Sequence, residues 1–167
     1  CNELGMFVLV ATPGWQYLNK DPQFAEDVLD EVRNRIRRDR NHPCVLMWEP
    51  ILNETQFPLD FSLKAQQVTH EEQPGSVCVA DHHSAGVADD YEVVCGWRKD
   101  VGNFNQCIFT SEFAENVDDW YAHNTNNRAS RSWGEGPLLV QALQLAKAYD
   151  EMCPESRQFI GGALWHP

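Results

Sequence analysis

No stretch of this sequence approaches the ~20 consecutive apolar residues that a membrane-spanning helix needs, and no basic segment followed by an apolar one opens the chain. A membrane partner is therefore not expected. Positive charge is scarce: 13 Lys and Arg stand against 25 Asp and Glu, for a formal net charge of −12. Proteins that grip nucleic-acid phosphates usually present a basic face, and the only dense basic run is Arg33 to Arg40, so no nucleic-acid partner is expected. Neither G-x-G-x-x-G nor G-x-x-x-x-G-K-[ST] occurs, which removes the sequence support for a nucleotide-binding open sheet. Six cysteines are present, but Cys1, Cys44, Cys78, Cys95, Cys107 and Cys153 form no C-x-x-C pair and show no zinc-like spacing. They read as small buried hydrophobes and say little about compartment.

What is present suffices for a packed core: 43% of the 167 residues are apolar and six are Trp. Strand-like and helix-like segments alternate. Gly5 reads as a cap, Met6 to Val10 as a strand, and Asp21-Pro22 as the start of a helix with stripe Phe24, Val28, Val32 and Ile36. Acidic residues fill its first half and arginines its second, which suits the helix dipole and permits a Glu31 to Arg35 pair. Cys44 to Trp48 is a second strand. Asp60 is expected to cap a helix with Phe61, Ala65 and Val68 inward, ended by Pro74-Gly75. Ser76 to Ala80, Tyr91 to Cys95 and Cys107 to Thr110 are further strands, and Glu115 to Glu135 is a long loop. Pro137 is expected to open a helix with Leu138, Ala142, Leu145, Tyr149 and Met152 inward, before a last strand over Phe159 to Leu164. Six strands joined mostly by helices imply a parallel sheet, either open or part of a (β/α)8 barrel, of which the barrel is preferred.

The stretch on which the rest turns is Arg40-Asn41-His42-Pro43, the apolar run to Trp48, and Asn53-Glu54. Proline stops the preceding helix, and a carboxylate just past the C-terminal end of a buried parallel strand sits where α/β enzymes keep their chemistry. Arg-Asn-His-Pro, a Trp-bearing strand and then Asn-Glu resembles the fourth barrel strand of glycoside hydrolase family 2, the β-galactosidase, β-glucuronidase and β-mannosidase family. Ile108-Phe109-Thr110-Ser111-Glu112-Phe113 is similar to the family's seventh strand, and the run Asn116 to Trp120 with Trp133-Gly134-Glu135 to a loop of its β-galactosidase-like branch. The resemblance implies that residues 1–167 are one partial TIM-barrel catalytic domain, covering about strands three to eight. The first two strands, a closing helix and the preceding β-sandwich domains would belong to the remainder of the parent chain. The opening Cys1-Asn2-Glu3-Leu4-Gly5 reads as mid-element. A periplasmic or secreted location follows if an upstream signal peptide has been lost, and a cytoplasmic one otherwise.

Hydrolysis of a β-glycoside with retention requires one protonated acid and one ionised nucleophile about 5–5.5 Å apart, and two carboxylates, Glu54 and Glu112, each follow an apolar strand at its C-terminal end. The resemblance implies that Glu54 is the acid/base and Glu112 the nucleophile. It likewise implies that Asn53 bonds the sugar 2-hydroxyl and that Trp165 floors the sugar site, while Trp15, Trp97 and His82 are weaker substrate-binding candidates at other strand ends. Adjacent His82 and His83 would point apart on a strand, which disfavours a shared metal. Thr12-Pro13-Gly14-Trp15 stands where magnesium-dependent members carry Glu and His, so no metal and no cofactor are expected. The Asn-x-Lys pattern of β-glucuronidases is not apparent, which disfavours a carboxylated sugar. The expected partner is an oligosaccharide or glycoside substrate. Rival readings are a carbohydrate-binding pseudo-enzyme, an inactive barrel fragment, or specificity for a β-glucuronide or β-mannoside.

Overall fold

The computed structural model describes residues 1–13, 19–52, 55, 57–81, 90–113, 131–152 and 156–164. The chain divides into two compact units, Cys1–Cys95 with Gly102–Cys107, and Gly96–Val101 with Ile108–Pro167.

In the first unit, a 3-10 turn over Asn2–Leu4 ends at Gly5, whose φ of 67° is a left-handed cap that a side chain would strain. The strand expected at Met6 to Val10 lies slightly later, as β1 (Val8–Ala11). Helix α1 (Pro22–Asp39) begins as its sequence dictates: Asp21 is extended and its carboxylate accepts the Gln23 N–H at 2.9 Å. Val32 and Ile36 are buried as the stripe predicts, Phe24 and Val28 are half-buried, and Leu29 and Arg35 join the buried face. Strand β2 (Val45–Glu49) pairs parallel with β1, setting Val10 opposite Trp48 and Ala11 opposite Glu49. Burial on both faces holds for Met47, Trp48 and Glu49, whereas Leu46 is half exposed.

Helix α2 (Leu59–Glu72) buries Phe61, Ala65 and Val68 as expected. Asp60 is not its cap. Pro58, held extended by its ring, occupies the cap position, so the helix starts one residue before Asp60 and places that carboxylate in the first turn. A parallel bridge between Trp48 and Cys78 carries the sheet pattern on to β3 (Val79–Asp81), which pairs parallel with β4 (Val93–Cys95). Successive strands are thus parallel neighbours within this unit. The core gathers Leu29, Ile36, Trp48, Ile51, Ala65 and Cys78, each side chain of Leu or Ile size gaining about 1.5–3 kcal/mol by leaving water. Tyr91 closes it, its hydroxyl donating to Ser62 O at 2.7 Å.

In the second unit, β5 (Cys107–Phe113) runs parallel to β6 (Phe159–Leu164), with Thr110 opposite Gly162 and Phe113 opposite Leu164. β5 is longer than the predicted Cys107 to Thr110, so Ser111 and Glu112 belong to the strand itself. Helix α3 (Glu135–Met152) starts before Pro137, because proline is tolerated within a first turn. Its inward side is only partly as predicted: Leu138 and Leu145 are half-buried, together with Gln141 and Ala148, while Ala142 and Tyr149 are exposed, the Tyr149 ring still lying 5.8 Å from that of Phe113; the Met152 side chain lies outside the described residues. No helix among the described residues is long and apolar enough to cross a membrane.

The cysteine expectation holds for Cys78 and Cys95, which are buried, but Cys1 and Cys107 are exposed and Cys44 half-buried; all five are free thiols. Cys107 is exposed because it is the first residue of its strand. Cys153 lies outside the described residues.

Candidate active site

Of the residues singled out above, Glu112 and Trp97 are described; Asn53, Glu54, Trp15, His82 and Trp165 lie outside the described residues. Glu112 is the penultimate residue of β5 and half-buried, at the C-terminal end of a parallel strand. Trp97 opens the 3-10 turn Arg98–Asp100, with its backbone N–H donated to the Asp100 carboxylate at 2.7 Å and the residue 37% exposed. Both belong to the second unit, and the intervening contacts show why they share one end of the strand. Gly96 N–H donates to Phe109 O at 3.0 Å, and the buried Thr110 hydroxyl donates to Gly96 O at 2.6 Å. That close approach favours glycine, since a Cβ at residue 96 would come to 3.3 Å from both the Asp100 carboxylate and Ile108, which would have to give by a few tenths of an ångström.

In the first unit, the chain leading to Asn53-Glu54 is fastened from two sides. Buried Thr12, immediately after β1, donates its N–H to Glu49 O at 2.9 Å and shares its hydroxyl between Glu49 O at 3.1 Å and Pro50 O at 2.9 Å. Ile51 is completely buried, and Thr55 N–H donates to Leu52 O at 3.3 Å, so the two flanks of positions 53 and 54 are hydrogen-bonded to each other. The Arg35 guanidinium, 7% exposed, donates to Ala11 O and pairs with Glu31 at 2.8 Å, so the end of β1 that carries Thr12 is held by a buried cation. Arg35, Thr12, Glu49 and Pro50 line a small cleft with Val10, Val32, Ile36, Trp48 and Thr69.

Sequence reasoning did not single out Thr12 or the burial of Arg35. A signal for the second was available, because Arg35 lies three residues after Val32 and one before Ile36, on the apolar stripe. No local pattern marks Thr12, whose partners are more than thirty residues away.

Two other ionisable groups are disqualified from proton chemistry by their surroundings. Burial pushes the Cys78 thiol up to about 12, with Glu92 adding to the effect. Burial likewise raises the Tyr91 phenol far above its ordinary range. Neither ionises near neutral pH unless a bound cation displaces the proton.

Residues 2–165 match the family described as glycosyl hydrolases family 2, TIM barrel domain. A β-galactosidase of Thermoanaerobacterium thermosulfurigenes is 34% identical over 108 residues, 65% of this chain and 14% of that protein. A β-glucuronidase of Canis lupus familiaris is 24% identical over 139 residues, 72% of this chain and 21% of that protein. The crystal structure of a Bacteroides uniformis β-glucuronidase superposes with a TM-score of 0.64 at 15% identity, covering 99% of this chain and 24% of that one. The chain thus spans between 14% and 24% of the length of these proteins. Likeness at 15% identity speaks for the fold: the chain is part of a (β/α)8 barrel, about its strands three to eight.

Proposed function

Because the chain belongs to the glycosyl hydrolase family 2 TIM-barrel domain family, we propose that it forms part of the catalytic barrel of a retaining β-glycosidase, β-galactosidase-like in substrate. The observation that carries this reading is the family match over residues 2–165 together with Glu112 at the C-terminal end of β5, the end at which barrel enzymes hold their catalytic groups. In this reading the Glu112 carboxylate attacks the anomeric carbon while Glu54, as acid, protonates the departing glycosidic oxygen. A covalent glycosyl ester on Glu112 results. Esterification removes the negative charge of Glu112, which lowers the pKa of Glu54 and lets it act as base toward the water that releases the sugar with retained configuration. Asn53 bonds the 2-hydroxyl, and Trp165 stacks on the apolar face of the ring. Trp15, Trp97 and His82 border the sugar. No metal or cofactor enters these steps.

The β-galactosidase preference rests on the 34% identical relative; a β-glucuronide is the second reading, favoured by the canine relative that matches 72% of the chain. The partner is a glycoside supplied from solution. As an isolated 167-residue polypeptide the chain is expected to show little or no activity, since strand edges left unpaired favour aggregation over a closed barrel.

The test is hydrolysis of a panel of aryl β-glycosides by the full-length protein. Glu112→Gln is expected to abolish turnover, and Glu54→Ala to lower kcat by about 10²–10⁴-fold. Azide added to Glu54→Ala should restore activity and give a β-glycosyl azide, because the anion needs no proton removed and enters the space left by the carboxyl group. Full activity in either variant would refute the assignment. A wild type that binds sugars and cleaves none would favour the binding-module reading.

A further inference from the structure

Beside the core of the first unit lies a cluster that the proposed reaction does not use. His70 is in the last turn of α2, Cys78 directly precedes β3, and Glu92 directly precedes β4. One donor atom from each, an imidazole nitrogen, the thiol sulfur and a carboxylate oxygen, lies within 4.8 Å of the other two. The sequence reading passed over the three because it looked for paired cysteines, whereas these ligands come one from each of three elements.

We propose that His70, Cys78 and Glu92 form a structural site for a zinc-like divalent transition metal, clipping the C-terminal end of α2 to the leading ends of β3 and β4. The donor set carries the choice of ion. Thiolate with imidazole selects zinc and its neighbours over magnesium or calcium, which take oxygen ligands. The charges also balance, since one thiolate and one carboxylate neutralise a dication.

The surroundings orient the ligands. His70 turns Nε2 toward the Glu92 carboxylate at 3.0 Å, and its Nδ1 is held by the Ser76 hydroxyl at 3.3 Å, the outer contact that fixes the ring of a metal-bound histidine. Glu92 is steadied in turn by the Cys78 N–H at 2.8 Å on one oxygen and by the Gln66 amide at 3.3 Å on the other. Around a tetrahedral zinc ion with bonds of roughly 2.0–2.3 Å, neighbouring donors stand roughly 3.3–3.8 Å apart. His70 and Glu92, whose side chains are 34% and 38% exposed, have room to rotate and close the remaining gap. Cys78 is wholly buried, so the fourth position opens to solvent on the His70 and Glu92 side. Metal binding displaces the thiol proton to water, which makes uptake weaker at acid pH.

Position argues for a structural role. Cys78 and Glu92 sit at the N-terminal ends of their strands, the end that in barrels serves stability, whereas the proposed chemistry is at the C-terminal ends. The site stands without the glycosidase reading.

The test uses the full-length protein, stripped with a chelator and titrated with Co²⁺. One equivalent bound at this site should produce a thiolate-to-cobalt charge-transfer band in the near ultraviolet, which zinc displaces and Cys78→Ser removes. His70→Gln, at a partly exposed position, tests the site even if Cys78→Ser fails to fold, and should weaken cobalt and zinc binding at least ~10-fold. Zinc should raise the thermal midpoint of the stripped wild type and not that of His70→Gln. Absence of the band, or a band and affinity unchanged in both variants, would overturn the proposal and leave the three residues as a hydrogen-bonded hub.

Discussion

Helices α1 and α3 have the same length, 18 residues, and opposite fates. α1 confines its apolar residues to one stripe and buries Leu29, Val32 and Ile36 almost completely, with its arginines outside or, in Arg35, tied to Glu31 and Ala11 O. α3 carries apolar residues all round and, among its described side chains, buries none of them fully, and Leu139, Val140, Leu143 and Tyr149 are exposed. A helix hydrophobic on every side is built for an interior, so the difference lies in what surrounds each helix rather than in its own folding propensity. Amphipathicity specifies one neighbour, whereas uniform apolarity specifies only that neighbours exist.

The widest contrast should appear in core truncations. Leu29→Ala, at a site 1% exposed, is expected to cost about 2–5 kcal/mol in urea unfolding, because the space it leaves cannot collapse. Leu143→Ala, 62% exposed on α3, should cost about 0.5 kcal/mol or less. If Leu143→Ala in the full-length protein costs more than about 2 kcal/mol, that face is covered there and the two helices are alike after all. Next comes Thr12→Val, which removes the hydroxyl from two carbonyls beneath the segment leading to Glu54. A loss of about 1–3 kcal/mol is expected because Pro50 O loses this donor, while Glu49 O keeps the Thr12 N–H, with Thr12→Ser near wild type. Asp21→Ala should cost about 0.5–2 kcal/mol by removing the α1 cap, and Asp60→Ala on α2 only a few tenths, because Asp60 caps nothing. The smallest effect concerns pH. The bidentate Arg37 hydrogen bond holds the Glu72 carboxyl below its ordinary value. Its contribution is therefore fully present above the unfolded carboxylate pKa and fades as pH falls through the lower folded one. Glu72→Gln should flatten that acid limb of the stability curve.

What the sequence disclosed followed the range of the interactions concerned. Asp21-Pro22 as a helix start, Gly5 as a cap and Phe159 to Leu164 as a strand depend on neighbours in the chain, and all three agree with the structure. The α1 stripe was legible because polar residues bound it on both sides. On α3 nothing bounds it: Leu138 and Leu145 are half-buried as predicted, but Gln141 and Ala148 join them where Ala142 and Tyr149 were expected, and the Met152 side chain lies outside the described residues. Asp60 was misjudged because Pro58 also starts helices, two residues earlier. The location of Glu112 at a strand's C-terminal end was legible from the apolar run before it, although the strand runs on through the residue. The fastening of Pro50 by Thr12 was not, since only the parallel register of β1 on β2 brings the two together.

Trp48 gives the first unit an optical consequence. Its indole is 3% exposed, its N–H donates to Gln73 Oε1 at 2.9 Å just past the end of α2, and its backbone bridges to Cys78. An indole so enclosed emits toward the blue and is shielded from quenchers in solution. Undocking the end of α2 would release the Gln73 bond, admit water and shift the emission to the red. The difference between wild type and Trp48→Phe isolates this one fluorophore, so the seating of α2 on the sheet can be followed in real time without a label.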